Sequence, residues 1–361
     1  MEKLARIWWE DITGPQYFLS SIISQLSDNK HVLLSNICVA PWKEHLRKQC
    51  NAALSGQFRD IDIKMLDAKD IPSSEIGQHL LEKFCGNRAI RNAYRPSPRK
   101  TIGNYLIENK VLLNKIFWVK DISPESLDDW INFLNGCASE KIQDGLFVLE
   151  VNESYTDRAR TNWSVLDYTS IVREYDHYTF ICQLLSQKSK NTLSFSENKY
   201  VAAVTFGLCG RDIETAVRFL DKEPGIILVT ETERFIRDPL FSNLSETEIT
   251  NRLWLLQVKE LFPLLETERV CLLEKYRDEF TKLWDNDSKV RFNLQGEAKE
   301  SINEFEIGEM NYYVSAQQVW MPDENDRKKI NKLRSIRNKL AHHKLCTQEE
   351  VRFMLSLACN Q

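Results

Sequence analysis

Short apolar runs alternate with helix-like segments through the first half of the chain, and this pattern constrains the fold more than any other feature. The runs that suit buried strands are His31–Asn36, Asp60–Leu66, Lys115–Val119, Gly145–Val151 and Val165–Val172. The helix-like segments are Tyr17–Leu26, Trp42–Leu54, Ser73–Phe84 and Glu125–Cys137. Strands separated by crossover helices predict a mostly parallel sheet that is covered on both faces.

The middle of the chain, residues 176–245, has a helical pattern interrupted by the strand-like run Gly225–Thr230. Within it, Tyr200–Leu220 predicts two short helices joined at Gly210, with Asp212 placed to cap the second. We interpret this segment as a small helical lid or linker that follows an α/β domain of residues 1–175.

The last part, residues 246–361, is predicted to be an all-α bundle. The expected helices cover about 245–265, 266–284, 306–320, 323–343 and 347–358. Pro322 and the acids that follow it favour a helix start, and Thr347 with Glu350 forms a capping-box pattern for the final helix.

Composition is that of an ordinary globular protein, with 42% hydrophobic and 28% charged residues. No apolar run is long enough for a membrane span, and the first residues lack the pattern of a signal peptide. Nine cysteines are scattered without a C-x-x-C pair, which predicts reduced thiols and no zinc site. We therefore expect a cytoplasmic protein with neither a metal nor a membrane partner.

Positive charge is concentrated between Arg327 and Lys344, a segment with eight Lys or Arg and no acid. Because the whole chain carries −4 and this segment +8, the remainder carries −12. A basic stretch on an acidic protein is a candidate surface for nucleic-acid phosphates. The predicted RNA-binding residues are Lys332, Arg334, Lys339 and Lys344. The alternative is a solvated helix face with no ligand.

The same helix carries a set of side chains suited to cleaving a phosphodiester without a metal. His342 could move protons near neutral pH, Arg337 could stabilise charge on the phosphate, and Asn338 could fix orientation. Attack by the RNA 2′-OH would leave a 2′,3′-cyclic phosphate, so DNA should be inert. Arg337 and His342 are separated by about 140° around a straight helix, so one copy would converge them poorly on one phosphate. The alternative is that Arg337 and Asn338 only bond neighbouring helix ends and that His342 is a satisfied histidine at the helix end. His343 could substitute for His342 or merely cap the helix.

The segment Arg337-Asn338-Lys339-Leu340-Ala341-His342, on a late helix of a C-terminal bundle, resembles the HEPN superfamily over roughly residues 250–361. The resemblance implies a metal-independent ribonuclease in which Arg337 and His342 are catalytic and Asn338 supports them. It also implies a homodimer formed through the bundle, in which two motifs build a composite site. Other members of the family have the helical fold and no activity.

The first half resembles the core of an AAA+ or STAND-type NTPase followed by its helical lid, because the strands and helices come in the same order. Ile116–Asp121 lies about where such proteins have an apolar strand that ends in a magnesium-supporting acid. The chain departs from the pattern after the first strand: no glycine lies between Asn36 and Lys43, and none of the twelve glycines precedes a lysine. Without a G-x-x-x-x-G-K-[ST] loop, backbone amides cannot cradle a triphosphate. We expect a P-loop-NTPase-like domain without a nucleotide cofactor.

Together these features predict a metal-independent ribonuclease that is an effector or subunit of a prokaryotic anti-phage or toxin system, and whose N-terminal domain senses a trigger or docks on a partner. The alternative is a non-catalytic adaptor whose two domains assemble with a partner ATPase or nuclease.

Overall fold

The computed structural model describes residues 2–58, 60–95, 101–137, 142–155, 163–187, 193–221, 235, 238–292 and 296–357. The predicted run Gly225–Thr230 lies outside these residues. Contacts divide the chain into two compact units, Met1–Phe180 and Ile181–Gln361. The three-part division at residues 175 and 245 stays a prediction.

The first unit is an α/β domain built on a five-stranded parallel sheet, as the sequence predicted. Its strands are β1 (His31–Ser35), β2 (Asp62–Asp67), β3 (Lys115–Ile122), β4 (Leu146–Val151) and β5 (Trp163–Asp167). The helices are α1 (Glu2–Arg6), α2 (Thr13–Ser27), α3 (Lys43–Gln57), α4 (Ile76–Phe84), α5 (Arg88–Ala93), α6 (Ile102–Glu108), α7 (Pro124–Asn135) and α8 (Tyr168–Ile171). A π-helical turn, Ile7–Asp11, joins α1 to the segment before α2.

The strand order is β2-β3-β4-β1-β5, so β1 lies between β4 and β5, the last two strands among the described residues. This differs from the Rossmann order 3-2-1-4-5-6 and the flavodoxin-like order 2-1-3-4-5, in both of which β1 neighbours β2. Every residue of β1 and β4 is buried, whereas the edge strand β2 is mostly open. The sequences of the central strands are therefore nearly continuous apolar runs, as expected for strands that are covered on both faces.

The prediction of a strand through Val172 is wrong for its second half, because β5 ends at Asp167 and a helical turn follows. The Asp167 carboxylate accepts hydrogen bonds from the Ser170 amide at 2.7 Å and the Thr169 hydroxyl at 2.8 Å. An aspartate that bonds the amide three residues on is a helix N-cap, and it outweighs the β-propensity of the next residues.

The second unit is helical in its described residues, apart from one isolated bridge between Phe292 and Ala298. After α9 (Glu174–Gln187), which contains the division between the units, come α10 (Phe195–Cys209), α11 (Ile213–Leu220), α12 (Glu246–Lys275), α13 (Arg277–Asn286), α14 (Ile307–Ser315), α15 (Glu324–Ala341) and α16 (Gln348–Leu357). The long helix α12 packs against α10, α15 and α16. None of the described helices is both long and apolar enough to cross a lipid bilayer.

Several helix boundaries in this unit follow the sequence signals. Gly210 has a φ of +57° between α10 and α11, and Asp212 caps α11 by accepting the Thr215 amide at 2.9 Å. Asp323 caps α15. The Thr347–Glu350 capping box is present, with Thr347 donating its amide to Glu350 at 2.7 Å.

The predicted break near residue 265 is wrong, because α12 is one helix of 30 residues that runs through Pro263. Proline has no amide hydrogen and its ring crowds the preceding turn, so it usually ends or kinks a helix. Here the ring lies on the exposed side, while Leu261 and Leu265 on either side are fully buried. Packing of the apolar face therefore outweighs the local cost of the proline.

Candidate functional site at the end of helix α15

Arg337 lies in the last turns of α15 and is held by an ion pair. Its side chain is 34% exposed, and one guanidinium nitrogen donates to Glu306 Oε2 at 2.8 Å. The other terminal nitrogen is 3.4 Å from Asn338 Oδ1, a weak hydrogen bond. Arg337 and Asn338 thus lie together, as the motif suggests, but the charge of the arginine is already paired.

His342 is the first residue after α15 and is exposed. Its backbone amide donates to the Asn338 and Lys339 carbonyls at 3.1 and 3.2 Å, which closes the helix. Among the described residues, no side chain or backbone group lies within hydrogen-bond distance of the His342 ring. Arg337 lines a cleft to which His342 does not contribute. A single chain therefore does not gather both groups around one point, in line with their angular separation on the helix.

His343 has a structural role that the sequence did not reveal. Its φ of +57° turns the chain away from α15, and its ring stacks on Trp254 of α12 with centroids 4.0 Å apart and planes 12° apart. Its Nε2 is 2.9 Å from Asn251 Oδ1, and Trp254 donates its indole N–H to the Leu340 carbonyl at 2.8 Å. These contacts hold the His343 ring at the end of α15, whereas the His342 ring, equally exposed, makes no such contact with a described residue.

The segment after His343 is fastened by a buried amide. Gln257 of α12 is fully buried and accepts the Cys346 amide at 2.7 Å. Its side-chain nitrogen faces the Tyr200 hydroxyl at 3.3 Å. The loop that follows the motif is therefore held by side chains 80 to 90 residues away in sequence, which no local pattern reveals.

Five of the eight cations of the basic segment are paired with acids, one of which lies on α15 itself and four elsewhere in the second unit. The described pairs are Lys328 with Glu324, Lys329 with Glu268, Lys332 with Glu349, Arg337 with Glu306, and Lys339 with Glu350. Of the four predicted RNA-binding residues, Lys332 and Lys339 are thus engaged, whereas Arg334 and Lys344 are exposed and make no ion pair with any described residue. These five acids offset most of the positive charge of the segment, so the local field is weaker than its composition suggests. Binding of RNA by these four residues stays a prediction.

A small cleft lies beside Arg337, between α12, the segment before α14, and α15. It has a volume of about 230 Å³. Its lining includes two arginines, three glutamates and an aromatic ring: Arg269, Arg337, Glu266, Glu304, Glu306 and Phe262. Arg269 donates from Nε to Glu266 at 2.8 Å and from Nη1 to the Asn303 and Phe305 carbonyls at 3.0 Å, so it holds the segment before α14 against α12.

In the first unit, the segment between β1 and α3 is filled where a phosphate-binding loop would be open. Ile37 is fully buried, and the Trp9 indole donates to the Pro41 carbonyl at 3.2 Å. Trp42, just before the helix, has a φ of +48°, a left-handed conformation that suits glycine. The backbone there makes a turn of the kind that glycine permits. Side chains, however, fill the space in which a phosphate-binding loop would hold its ligand.

A buried ion pair lies beside this segment, at the carboxyl ends of the strands. In open parallel sheets, ligands bind beyond the carboxyl ends of the strands, where successive connections diverge. Here β1 and β4 are neighbours, and Glu150 near the end of β4 accepts two hydrogen bonds from Arg47 of α3, at 2.9 and 2.6 Å. Glu150 is only 4% exposed and also accepts the Trp118 indole N–H at 2.6 Å. Arg47 and Glu150 were not singled out in the sequence, because they are 103 residues apart.

Asp121, the acid compared with a magnesium ligand, lies at an irregularity where β3 shifts register against β4. It has a φ of +57° and faces Lys69, with 3.4 Å between Nζ and Oδ2. No cluster of three or more His, Cys, Asp or Glu residues that could hold a metal ion occurs among the described residues.

Comparisons with known proteins leave the family open. No family model matches the chain, and no curated protein is significantly similar to it. The RIF2 protein of Saccharomyces cerevisiae aligns at 12% identity over 71% of this chain and 94% of its own, with a TM-score of 0.29. The ORC2 protein of Aeropyrum pernix, solved in ADPNP and ADP complexes, aligns at 13% identity over 100% of this chain and 94% of its own, also with a TM-score of 0.29. At such values, function has to be argued from the chain's own residues.

Proposed function

We propose that the helical unit is a metal-independent ribonuclease of the HEPN type. The observation that carries the proposal is the end of α15, where the His342 imidazole is open to solvent and the half-exposed Arg337 guanidinium lies against Asn338. An imidazole and a guanidinium are the groups that this cleavage needs in the absence of a metal.

In this proposal His342 takes the proton from the RNA 2′-OH or gives one to the departing 5′-oxygen. Arg337 stabilises the negative charge that builds up on the phosphate oxygens, and Asn338 holds the guanidinium in place. The 2′-oxygen bonds to phosphorus as the bond to the 5′-oxygen breaks, which leaves a 2′,3′-cyclic phosphate and a free 5′-OH.

The active form in this proposal is a homodimer, because one copy separates Arg337 from His342. Support comes from exposed apolar side chains on α12: Leu255 is 61% exposed and Phe262 is 36% exposed. They are seven residues apart and so share one face of the helix. Phe262 also lines the cleft that contains Arg337. A second copy seated on this face would cover apolar surface directly beside the motif.

For the first unit we infer a degenerate NTPase-like domain of the AAA+ or STAND type that senses or docks and does not hydrolyse nucleotide. The support is the parallel sheet with crossover helices, together with the filled segment between β1 and α3. In a prokaryotic defence or toxin system, such a domain would hold the nuclease to a trigger or partner.

A second candidate is the non-catalytic adaptor. The observation that favours it is the pairing of Arg337, Lys332 and Lys339 with acids of the same chain, which leaves little free positive charge near the motif. An adaptor would use the exposed face of α12 for a partner protein.

The test is incubation of the purified full-length protein with labelled single-stranded RNA in EDTA, beside DNA of the same sequence. We expect RNA to be cut to cyclic-phosphate ends, DNA to remain intact, and both Arg337→Ala and His342→Ala to lose activity. Arg352→Ala is the matched control, since it removes a partly exposed arginine from α16 in the same unit. Equal cleavage by all variants would reveal a contaminant, and absence of cleavage by a dimeric wild-type protein would favour the adaptor.

A further inference from the structure

The cleft beside Arg337 has the size and donors for a phosphate group rather than for a whole nucleotide. Its volume of about 230 Å³ is below the roughly 300–1,000 Å³ of pockets for small organic ligands. A guanidinium has five N–H donors in a planar fork, and Arg337 uses one for Glu306 and one, weakly, for Asn338. Its remaining donors and its 34% exposure leave it able to bind a further anion.

We propose that this cleft is a phosphate-binding site and that the Glu306 carboxylate occupies it in the resting protein as an internal competitor. Carboxylate and phosphate are recognised by the same fork of a guanidinium. Glu306 takes the place of one phosphate oxygen at 2.8 Å from the Arg337 nitrogen. The inference rests on the proposed ribonuclease function for the identity of the anion, an RNA phosphodiester.

The chain around Glu306 is fixed, so release needs only a side-chain rotation. Phe305 is fully buried, and Arg269 holds the Asn303 and Phe305 carbonyls from α12. The Glu306 side chain itself is 64% exposed. Exposed ion pairs contribute only about 0–1 kcal/mol, because water and salt screen them. A phosphodiester can therefore displace this carboxylate, and the competition lowers its affinity by no more than about fivefold.

The two arginines of the cleft have different tasks. Arg269 is a positioning residue, since its described donors go to Glu266 and to backbone carbonyls of the Glu306-bearing segment. Arg337 is the residue that exchanges its partner. Glu306 thus competes with the RNA phosphate for Arg337, and the outcome depends on how well the RNA is bound elsewhere.

The experiment measures binding separately from cleavage, with a fluorescein-labelled 2′-O-methyl RNA that lacks the free 2′-OH. Fluorescence anisotropy at low salt compares the wild-type protein with Glu306→Gln and with Glu304→Gln. Glu304 lines the same cleft and its carboxylate accepts the Glu300 and Ser301 amides, so its substitution removes an equal charge without touching the Arg337 pair. Glu304 and Glu306 each take part in a capping box, and glutamine keeps a side-chain oxygen that can accept the same amides.

We expect Glu306→Gln to bind about two- to fivefold more tightly than Glu304→Gln, the ratio that an exposed pair of up to about 1 kcal/mol implies. The gain should disappear when Arg337→Ala is added. Equal affinities of the two glutamine variants, a gain that survives Arg337→Ala, or no binding by any variant would overturn the inference.

Cleavage of unmodified RNA, assayed in parallel, keeps the two proposals apart. A Glu306-specific gain in binding without cleavage by any variant would support the phosphate site and refute the ribonuclease. Cleavage by the wild-type protein with no Glu306-specific gain in binding would support the ribonuclease and refute the phosphate site.

Discussion

His31 should make the first unit lose stability in mild acid. It is the first residue of β1, is 1% exposed, and its Nδ1 accepts the Phe147 backbone amide at 3.2 Å. An acceptor at Nδ1 places the hydrogen of the neutral ring on Nε2. Burial lowers the pKa of His31 from 6.5 to about 4, and a smaller interaction with the Cys137 backbone acts in the opposite direction.

The direction of this pH dependence follows from comparing the protonation of His31 in the folded and unfolded states. Between pH 6.5 and about 4, the unfolded chain takes up a proton at His31 while the folded chain does not. The stabilisation that depends on a neutral His31 ring is therefore fully present above pH 6.5. The free energy of unfolding decreases as the pH falls from 6.5, and this loss is complete below about pH 4. At about 1.4 kcal/mol per pH unit, the loss across this window is about 3 kcal/mol. This is a large part of the 5–15 kcal/mol typical of a folded domain.

The assay is urea unfolding of the full-length protein at pH values from about 7.5 to 4.5, for the wild type and His31→Asn. Asparagine retains an acceptor for the Phe147 amide and does not titrate, so the difference between the two proteins isolates His31 from the carboxylates. We expect the advantage of the wild type to shrink by about 2.5 kcal/mol between pH 7.5 and 4.5. Val32→Ala, in the same strand, should lower stability by a constant amount at every pH. A difference between wild type and His31→Asn that does not vary with pH would refute the reasoning.

Three further predictions concern other parts of the chain. Arg47→Ala leaves the buried Glu150 carboxylate without its cation and should lower the free energy of unfolding by about 3–5 kcal/mol in urea titrations; a loss below 1 kcal/mol would mean that water reaches the pair. Pro263→Ala restores a backbone donor inside α12 and should raise the thermal midpoint, with a stabilisation of about 1 kcal/mol or more measured by calorimetry; a lower midpoint would show that the proline helps α12 pack. Leu255→Lys should convert the proposed dimer into monomers by light scattering without changing the circular dichroism spectrum, and a wild-type dimer whose mass the substitution leaves unchanged would mean that its interface lies elsewhere.

The secondary structure could be predicted largely from periodicity, but the arrangement of the strands could not. Apolar runs located all five strands because central strands of a parallel sheet are buried on both faces. The insertion of β4 between β1 and β3 depends on packing between distant segments, which no local pattern encodes. The two errors have local causes: the Asp167 cap ended β5 early, and buried leucines on either side of Pro263 kept α12 intact.

The candidate site was predictable in its residues but not in its electrostatics. The motif placed Arg337 beside Asn338 and His342 at a helix end, as the structure has them. The partner Glu306 is 31 residues away from Arg337, so the sequence could not reveal that the guanidinium is paired. The stacking of His343 on Trp254, from another helix, is equally invisible to spacing arguments.

The position of β1 has a consequence for how the chain folds during synthesis. The strand lies between β4 and β5, so both of its edges stay unpaired until residues 146–167 have left the ribosome. Its sequence neighbour β2 reaches only β3 and cannot protect it. Pairings that join distant segments form slowly, and an apolar strand with open edges invites association with other chains. Nascent chains that stop between β1 and β4 should therefore depend on chaperones far more than the finished protein does.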